Sequence, residues 1–327
     1  MTKLIVQIPC YNEQDTLAAT VADIPRKIDL VDQVEILIID DGSTDETIRT
    51  AQECGVDHIV RNRSNKGLAR SFSTGLDACL KLGADVIVNT DGDNQYSGAS
   101  IPDLIRPVLE GKADIVVGDR GTSDIEHFSP LKKRLQKLGS AAVRRLSGLE
   151  VADAVSGFRA YSRDAALQTN VVSSFSYTVE TLIQAGNKGM TVWSVPVKTN
   201  AQTRESRLAK SMPSFIRKQV LTMIRSYASY RALRFFSLIG LILIAIGVIP
   251  IFRFLVLFMM GEGQGNIQSL VLGGVMVLMG MITFAVALLA DAVAVNRHLL
   301  EQTLEAVRRA ELDAAKPAKN ETPEIKS

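Results

Sequence analysis

The chain has 327 residues, enough for one large domain or two ordinary ones. Its formal net charge of +2 gives no general affinity for polyanions, so nucleic acid is not an expected partner. Cys10, Cys54 and Cys79 form an odd, widely spaced set, which argues against a disulfide framework and a zinc site and fits a reducing compartment.

The N-terminus, MTKLIVQIPCYNE, runs straight into a strand and lacks the long apolar core of a signal peptide. Strand-like runs follow at 4–8 (LIVQI), 35–40 (EILIID), 58–60 (HIV), 85–90 (DVIVNT), 114–118 (DIVVG) and 192–197 (VWSVPV). Several are apolar without alternation, as in strands buried on both faces. Helical stretches lie between them at 15–28, 44–54 and 67–82, and the spacing of Ser43 and Glu46 is that of a capping box opening the second. This alternation predicts an α/β fold with a mainly parallel, doubly wound sheet. Ligands of such sheets bind at the carboxyl ends of strands. The polar clusters fall there: PCYNE after the first strand, DDGS after the second, DGDNQ after the fourth and GDR after the fifth.

In NTDGDNQY (89–96), Asp91 and Asp93 flank a glycine at a strand end. Two adjacent carboxylates repel each other. A hard divalent cation offsets that cost, because Mg²⁺ binds through one or two carboxylates plus substrate phosphates. The alternative is a loop in which Asp and Asn make turns. No GxGxxG follows the first strand and no GxxxxGK[ST] occurs, so a glycine-rich phosphate cradle is disfavoured. Positive charge for a phosphate must come from a metal and from arginines. RESRLAKS (204–211) carries Arg204, Arg207 and Lys210, and HFSPLKKRLQKLGSAAVRRL (127–146) carries six basic residues and no acid. In the latter, Leu131, Leu135, Leu138, Ala142 and Leu146 recur at helical spacing, giving a basic amphipathic helix suited to an anionic membrane surface or to packing on the sheet.

From Arg204 to Arg234 there are eight Lys/Arg and one acid, Glu205. Two apolar segments follow. Residues 235–252 are uncharged, with apolar residues continuing past Arg253 to Met260, and 267–290 are 24 uncharged residues. At 1.5 Å per residue the first reaches about 27 Å, close to a bilayer core. GEGQGN (261–266) links them, so the pair reads as a transmembrane hairpin rather than two buried core helices. Arg225, Arg231 and Arg234 precede the pair, Arg297, Arg308 and Arg309 follow it, and the link has no positive charge. Both termini are therefore expected on the cytoplasmic side of a multi-pass inner-membrane protein. The expected organisation is a catalytic domain over 1–212, a juxtamembrane amphipathic helix over 213–234, spans near 235–258 and 267–290, and a cytoplasmic helix with a polar, disordered tail over 292–327.

IPCYNE, DDGSTDET, NKGLARSFSTGL, TDGDNQY, GDR, DAVSGFRAYSR and RESRL together resemble the family 2 glycosyltransferases, which have a GT-A fold. With two C-terminal spans, the chain looks most like the polyprenyl-phosphate glycosyltransferases, the group of dolichol-phosphate mannose synthase. The resemblance implies a nucleotide-sugar donor, UDP- or GDP-linked, a membrane polyprenyl phosphate as acceptor, and Mg²⁺ or Mn²⁺. It implies that Pro9, Tyr11, Glu13 and Asp41 contact the nucleoside, that Asp91 and Asp93 bind the metal with Gln95 nearby, and that Arg204, Arg207 and Lys210 close over the diphosphate. Arg120 and Arg134 are similar to the family's acceptor-phosphate arginines. Asp93, Gln95, Arg120 and Arg134 are thus the expected catalytic set. Here the motif is DGD where relatives often have DAD, and glycine is expected to loosen the turn. Relatives can associate through their spans, which leaves a homo-oligomer open.

The reaction so implied moves one sugar to a lipid monophosphate with inversion. A phosphate nucleophile is substantially dianionic at pH 7 and needs no strong general base. A processive polysaccharide synthase would carry QxxRW, which is missing, and a non-catalytic lipid-binding or flipping protein would not need the DxD. Simpler readings stand beside these roles. Tyr11 also reads as packing, Arg159 as a structural ion-pair former, Ser156 and Gly157 as turn residues and Trp193 as core. His58, His127 and His298 are scattered and form no ligand cluster.

Overall fold

The computed structural model describes residues 1–121, 130–173, 176–200, 212–261 and 266–314. The elements, in chain order, are β1 (Lys3–Cys10), α1 (Leu17–Asp23), β2 (Gln33–Asp40), α2 (Thr47–Glu53), β3 (His58–Arg61), α3 (Leu68–Lys81), β4 (Val86–Asn89), α4 (Ile101–Leu109), β5 (Ile115–Asp119), α5 (Pro130–Ser147), β6 (Arg159–Ser162), α6 (Arg163–Gln168), α7 (Thr178–Asn187), β7 (Val192–Pro196), α8 (Met212–Tyr230), α9 (Ala232–Met259) and α10 (Ile267–Ala314). They fall into two compact units, Met1–Met223 with Thr303–Ser327, and Ile224–Gln302.

The first unit is built on a seven-stranded sheet of order β3-β2-β1-β4-β6-β5-β7. β1 pairs in parallel with β2 and β4, and β5 with β7, while β6 runs antiparallel to β4 and β5. The sheet is thus mostly parallel, as expected, with one reversed strand, β6, that sequence does not signal. The unalternating apolar runs are buried on both faces: Leu4, Ile5, Val6 and Ile8 of β1 and Ile36 to Ile39 of β2 are fully buried. One face packs Leu4, Val6 and Ile8 against Leu17 and Val21 of α1 and Ile101, Leu104 and Ile105 of α4. On the other, α3 approaches β1 and β2 so closely at Gly75 that a Cβ there would collide with the Gln7 side chain.

α1 and α2 are shorter than expected. The Ser43–Glu46 capping box does not form: α2 starts after Glu46, and Thr47 N–H is accepted instead by Asp45 Oδ1 at 3.0 Å. The Ser43 hydroxyl is committed elsewhere, accepting the Asn12 N–H at 2.9 Å. On the C-terminal half of α5 the buried side chains are Ser140, Val143 and Ser147, offset from the expected Ala142–Leu146 stripe. Trp193, expected in the core, is 44% exposed because β7 is the edge strand. At the far end of α10, Arg308 Nη1 donates to the Leu167 carbonyl (3.3 Å) and Asn170 Oδ1 (3.1 Å), and Arg309 pairs with Asp164 at 2.8 Å.

The second unit holds α9 and most of α10, two helices long and apolar enough to cross a membrane. Their outward side chains, such as Leu241, Ile249, Phe252, Leu272, Ile282 and Leu289, are exposed, which is the pattern of lipid-facing helices and not of core helices. The two helices meet through glycines. A Cβ at Gly240 would stand 2.9 Å from the Gly280 carbonyl, and one at Gly247 would stand 2.8 Å from that of Gly273. Small residues at such crossings let transmembrane backbones approach closely. Arg297 lies 4.8 Å from the Tyr230 ring centre and donates to Glu301 at 2.9 Å, joining α8 to α10.

Candidate functional site

The ends of β1 and β2 are laced together. Asn12, at φ 55°, accepts the Thr44 N–H on Oδ1 (2.9 Å), and Glu13 N–H donates to the Thr47 hydroxyl (2.8 Å). Tyr11 projects from this seam, 39% exposed, so it is not packed in the core; Pro9 and Glu13 are buried in it. Asp41 is almost fully buried and is the post of a wall made by residues 62–67. Its carboxylate accepts Asn62 Nδ2 (2.9 Å) and the N–H groups of Lys66 (3.0 Å) and Gly67 (2.8 Å). Gly67 caps α3, where a negative charge is favourable. Gly42, at φ 76°, lets the DDGS loop lie against this wall: a Cβ would stand 2.8 Å from the Ser64 carbonyl carbon.

The DGD turn leaves β4 and is fixed on several sides. The Gly92 carbonyl accepts the hydroxyls of Thr16 (2.7 Å) and Thr20 (3.2 Å), which ties it to α1. Gly92 is not in the left-handed region; it sits close to its neighbours, and a Cβ would stand 3.2 Å from Cys10 Sγ and 3.3 Å from Glu13 Cγ. Asn94, at φ 55°, reverses the chain directly after Asp93, whose Oδ1 accepts the Gln95 N–H at 3.2 Å.

Asp91 rests on the segment before β6. A Cβ at Gly157 would stand 3.2 and 3.3 Å from its two carboxylate oxygens and 2.9 Å from the Tyr177 hydroxyl. Gly157 therefore does more than shape a turn; it leaves the room in which the carboxylate sits. Beneath it runs a buried polar chain. Gln7 Nε2 donates to Asn89 Oδ1 (2.9 Å), and Asn89 Nδ2 donates to the Tyr177 hydroxyl (2.8 Å) and the Gly157 carbonyl (2.9 Å). Tyr177 stacks on Phe72 with ring centres 3.8 Å apart. The cluster is strongly negative. Burial, and then Glu13, Asp40, Asp91 and Asp45, push the Cys10 thiol well above its ordinary range. Burial and then Asp91 do the same to Tyr177.

These residues fit a hard divalent cation. The turn offers the carboxylate oxygens of Asp91 and Asp93, in a field that a cation relieves. Among the described residues no three acidic, His or Cys side chains gather as a self-sufficient site. The pair instead suits the mode in which Mg²⁺ takes one or two carboxylates and completes its shell with substrate phosphates.

Arg120, one residue beyond β5, joins this edge. Its Nε and Nη2 grip Asp153 at 2.6 and 3.0 Å, and its guanidinium lies 5.9 Å from the ring centre of Tyr96, the residue after Gln95. Asp153 is 0% exposed at its side chain and Arg120 18%. Burial works against the arginine's charge, but Tyr96, Asp153 and Asp91 outweigh it and hold the guanidinium protonated above its ordinary range. Arg159 is fully buried, but the bonds it makes are not the expected ion pair. It donates to the carbonyls of Ser156 (2.9 Å) and Ala154 (3.0 Å) and to the Thr181 hydroxyl (2.8 Å), moulding the segment that carries Gly157.

The structure thus brings Asp91, Asp93, Gln95 and Arg120 to one sheet edge, with Pro9, Tyr11, Glu13 and Asp41 on the β1–β2 side. Arg204, Arg207 and Lys210 lie outside the described residues, as does the tail beyond residue 314; Arg134 stands on α5 with its side chain outside them. Sequence reasoning misses Asp153, the buried partner of Arg120, which carries no signal apart from its place in DAVSGFR.

Residues 5–168 match the family described as glycosyl transferase family 2. The chain is 29% identical over 216 residues to a UDP-N-acetylglucosamine–dolichyl-phosphate N-acetylglucosaminyltransferase of Methanococcus voltae, covering 59% of this chain and 83% of that one. It is 29% identical over 229 residues to a polyprenol monophosphomannose synthase of Mycolicibacterium smegmatis, covering 66% and 83%. Among solved structures it is similar to glucosyl-3-phosphoglycerate synthase of Mycobacterium tuberculosis, in complex with Mn²⁺, UDP and glucosyl-3-phosphoglycerate. There the TM-score is 0.56 and the identity 23%, over 69% of this chain and 80% of that one.

Proposed function

Because this chain belongs to glycosyl transferase family 2, and is therefore a glycosyltransferase, we propose that it transfers a single sugar from a nucleotide sugar to a membrane polyprenyl phosphate. The observation that carries this reading is the presence, in one chain, of the DGD turn beside Arg120 and of two helices apolar enough to cross a membrane. The relatives named for dolichyl-phosphate and polyprenol-phosphate transfer support it. The wall from Pro9 to Asp41 faces the nucleoside, with Tyr11 exposed to receive it and Asp41 shaping the loop behind. Asp91 and Asp93 would hold Mg²⁺ or Mn²⁺, which would supply positive charge to offset that of the departing nucleoside diphosphate. Arg204, Arg207 and Lys210 serve that same diphosphate, and Arg120 and Arg134 the acceptor phosphate.

Arg120 suits this part because Asp153 takes two of its five N–H donors and fixes the plane of the fork. The acceptor oxygen is already anionic, so the protein needs only to position two anions and screen their repulsion. The test is incubation of the purified chain with a panel of UDP- and GDP-sugars, Mg²⁺ or Mn²⁺, and undecaprenyl or dolichyl phosphate. Mass analysis should give a lipid-phosphate monosaccharide, and NMR an inverted anomeric centre. A polymer, or no lipid product from any donor, would overturn the reading.

We place the catalytic unit and both termini on the cytoplasmic side of the membrane, following the arginines at both ends of the hairpin. A cysteine at Gln264, in a background lacking Cys10, Cys54 and Cys79, should react with an impermeant thiol reagent in intact cells. Labelling at Lys326→Cys instead would reverse the orientation.

A further inference from the structure

The chain leaving β7 does not simply depart from the sheet. It turns back along the segment that follows the DGD motif and pairs with Gln95 to Ser97. Ser97 N–H donates to the Lys198 carbonyl at 3.1 Å, Tyr96 and Thr199 form an antiparallel bridge, and Asn200 N–H donates to the Gln95 carbonyl at 2.9 Å. The Asn200 side chain then closes the pairing: Nδ2 donates to the Asn94 carbonyl at 3.1 Å and to Asn94 Oδ1 at 3.3 Å. Asn94 is the residue held at φ 55°, and it stands between Asp93 and Gln95. The left-handed region is costly for most residues and tolerated by Asn. Its conformation decides where the chain goes after Asp93, and so where Asp93 Oδ1 meets the Gln95 N–H.

We propose that Asn200 is a positioning residue for the donor site: by latching Asn94, it sets the aim of the Asp93 carboxylate toward the cation that accompanies the nucleoside diphosphate. This deepens the function proposed above and rests on it. Asn200 touches no reacting atom. It acts through Asn94, as outer residues act on metal ligands, and their loss characteristically costs about 10- to 100-fold in metal affinity or activity. The bonds are on the surface, so removing them leaves no buried polar group and should hardly affect folding.

A purely structural role and a positioning role separate in one measurement, calorimetry of UDP and GDP binding to the full chain in detergent, with Mn²⁺ and with EDTA. Wild type should bind one of them more tightly with Mn²⁺. Asn200→Ala should weaken binding about tenfold in Mn²⁺, match wild type within about twofold in EDTA, and melt at the wild-type temperature. Asn200→Asp, which cannot donate, should behave like Asn200→Ala. Asn94→Gly frees the same turn, so the double variant Asn94→Gly with Asn200→Ala should be no worse than the weaker single one. Equal Mn²⁺ dependence in wild type and Asn200→Ala overturns the proposal. So does a loss of affinity that is the same in EDTA, or one accompanied by a lower melting temperature. Wild-type binding indifferent to Mn²⁺ would overturn the donor-site reading itself, so the two failures are told apart by which protein shows them.

Discussion

Asp93→Asn should lower the rate of sugar transfer about a thousandfold and leave the fold intact. Asp93 lies half-buried on the turn after β4, and its Oδ1 accepts the Gln95 N–H. An asparagine keeps a carbonyl oxygen for that bond and occupies nearly the same volume. The change therefore subtracts charge and little else. A metal that polarises a leaving diphosphate contributes several kcal/mol to the transition state, and about 4 kcal/mol corresponds to a thousandfold in rate. EDTA should reproduce the loss in the wild type, and Asp93→Asn in EDTA should be no slower than either alone, because both remove the same interaction. Calorimetry gives a readout apart from turnover: Mn²⁺ should strengthen nucleoside diphosphate binding to the wild type and not to Asp93→Asn. Wild-type rates from Asp93→Asn, or from the wild-type chain in EDTA, would remove the metal from this site.

The acid-rich strand ends are legible in sequence because a parallel sheet sorts its loops by position. Whatever follows each strand arrives at the same edge, and Asp41, Asp91 and Arg120 are placed there by their order in the chain. The two long apolar helices are legible directly, because each contains an uncharged run of span length. What escapes are properties that depend on which strands become neighbours. β6 begins at the buried Arg159 and has only four residues, RAYS, so its sequence resembles a loop. It becomes a strand by filling the gap between β4 and β5. VWSVPV looks like core until the strand order puts β7 at the edge and leaves Trp193 exposed. Gln7 and Asn89 look like flaws in apolar strands; their reason is each other, 82 residues apart, and the Tyr177 and Gly157 groups beyond. The Ser43 capping box fails because a residue 31 positions earlier, Asn12, claims the hydroxyl. In each case a local signal loses to a partner that only the fold supplies.

The second large effect is expected at Arg120, and it is an effect on the fold as well as on the acceptor. Arg120→Ala removes the cation that pairs with Asp153, whose carboxylate is fully buried. Breaking a buried pair from one side costs roughly 3–5 kcal/mol, because the remaining charge is left uncompensated. That is a large fraction of the stability of an ordinary domain, so Arg120→Ala should melt well below wild type and its kinetics alone would be uninformative. The double variant Arg120→Ala with Asp153→Ala should recover much of that loss, since no lone charge is left inside. Arg120→Lys keeps the charge but cannot reproduce the two-pronged grip on Asp153. It should fold, and it should raise the apparent KM for polyprenyl phosphate about tenfold, the loss of one charge-assisted contact of roughly 1.5 kcal/mol. Nucleoside diphosphate binding with Mn²⁺ should stay within about twofold of wild type in Arg120→Lys. The double variant should match it there while losing the acceptor still more severely. If Arg120→Lys instead loses nucleotide affinity as much as acceptor affinity, the guanidinium serves the leaving diphosphate and the acceptor phosphate must be met by other residues.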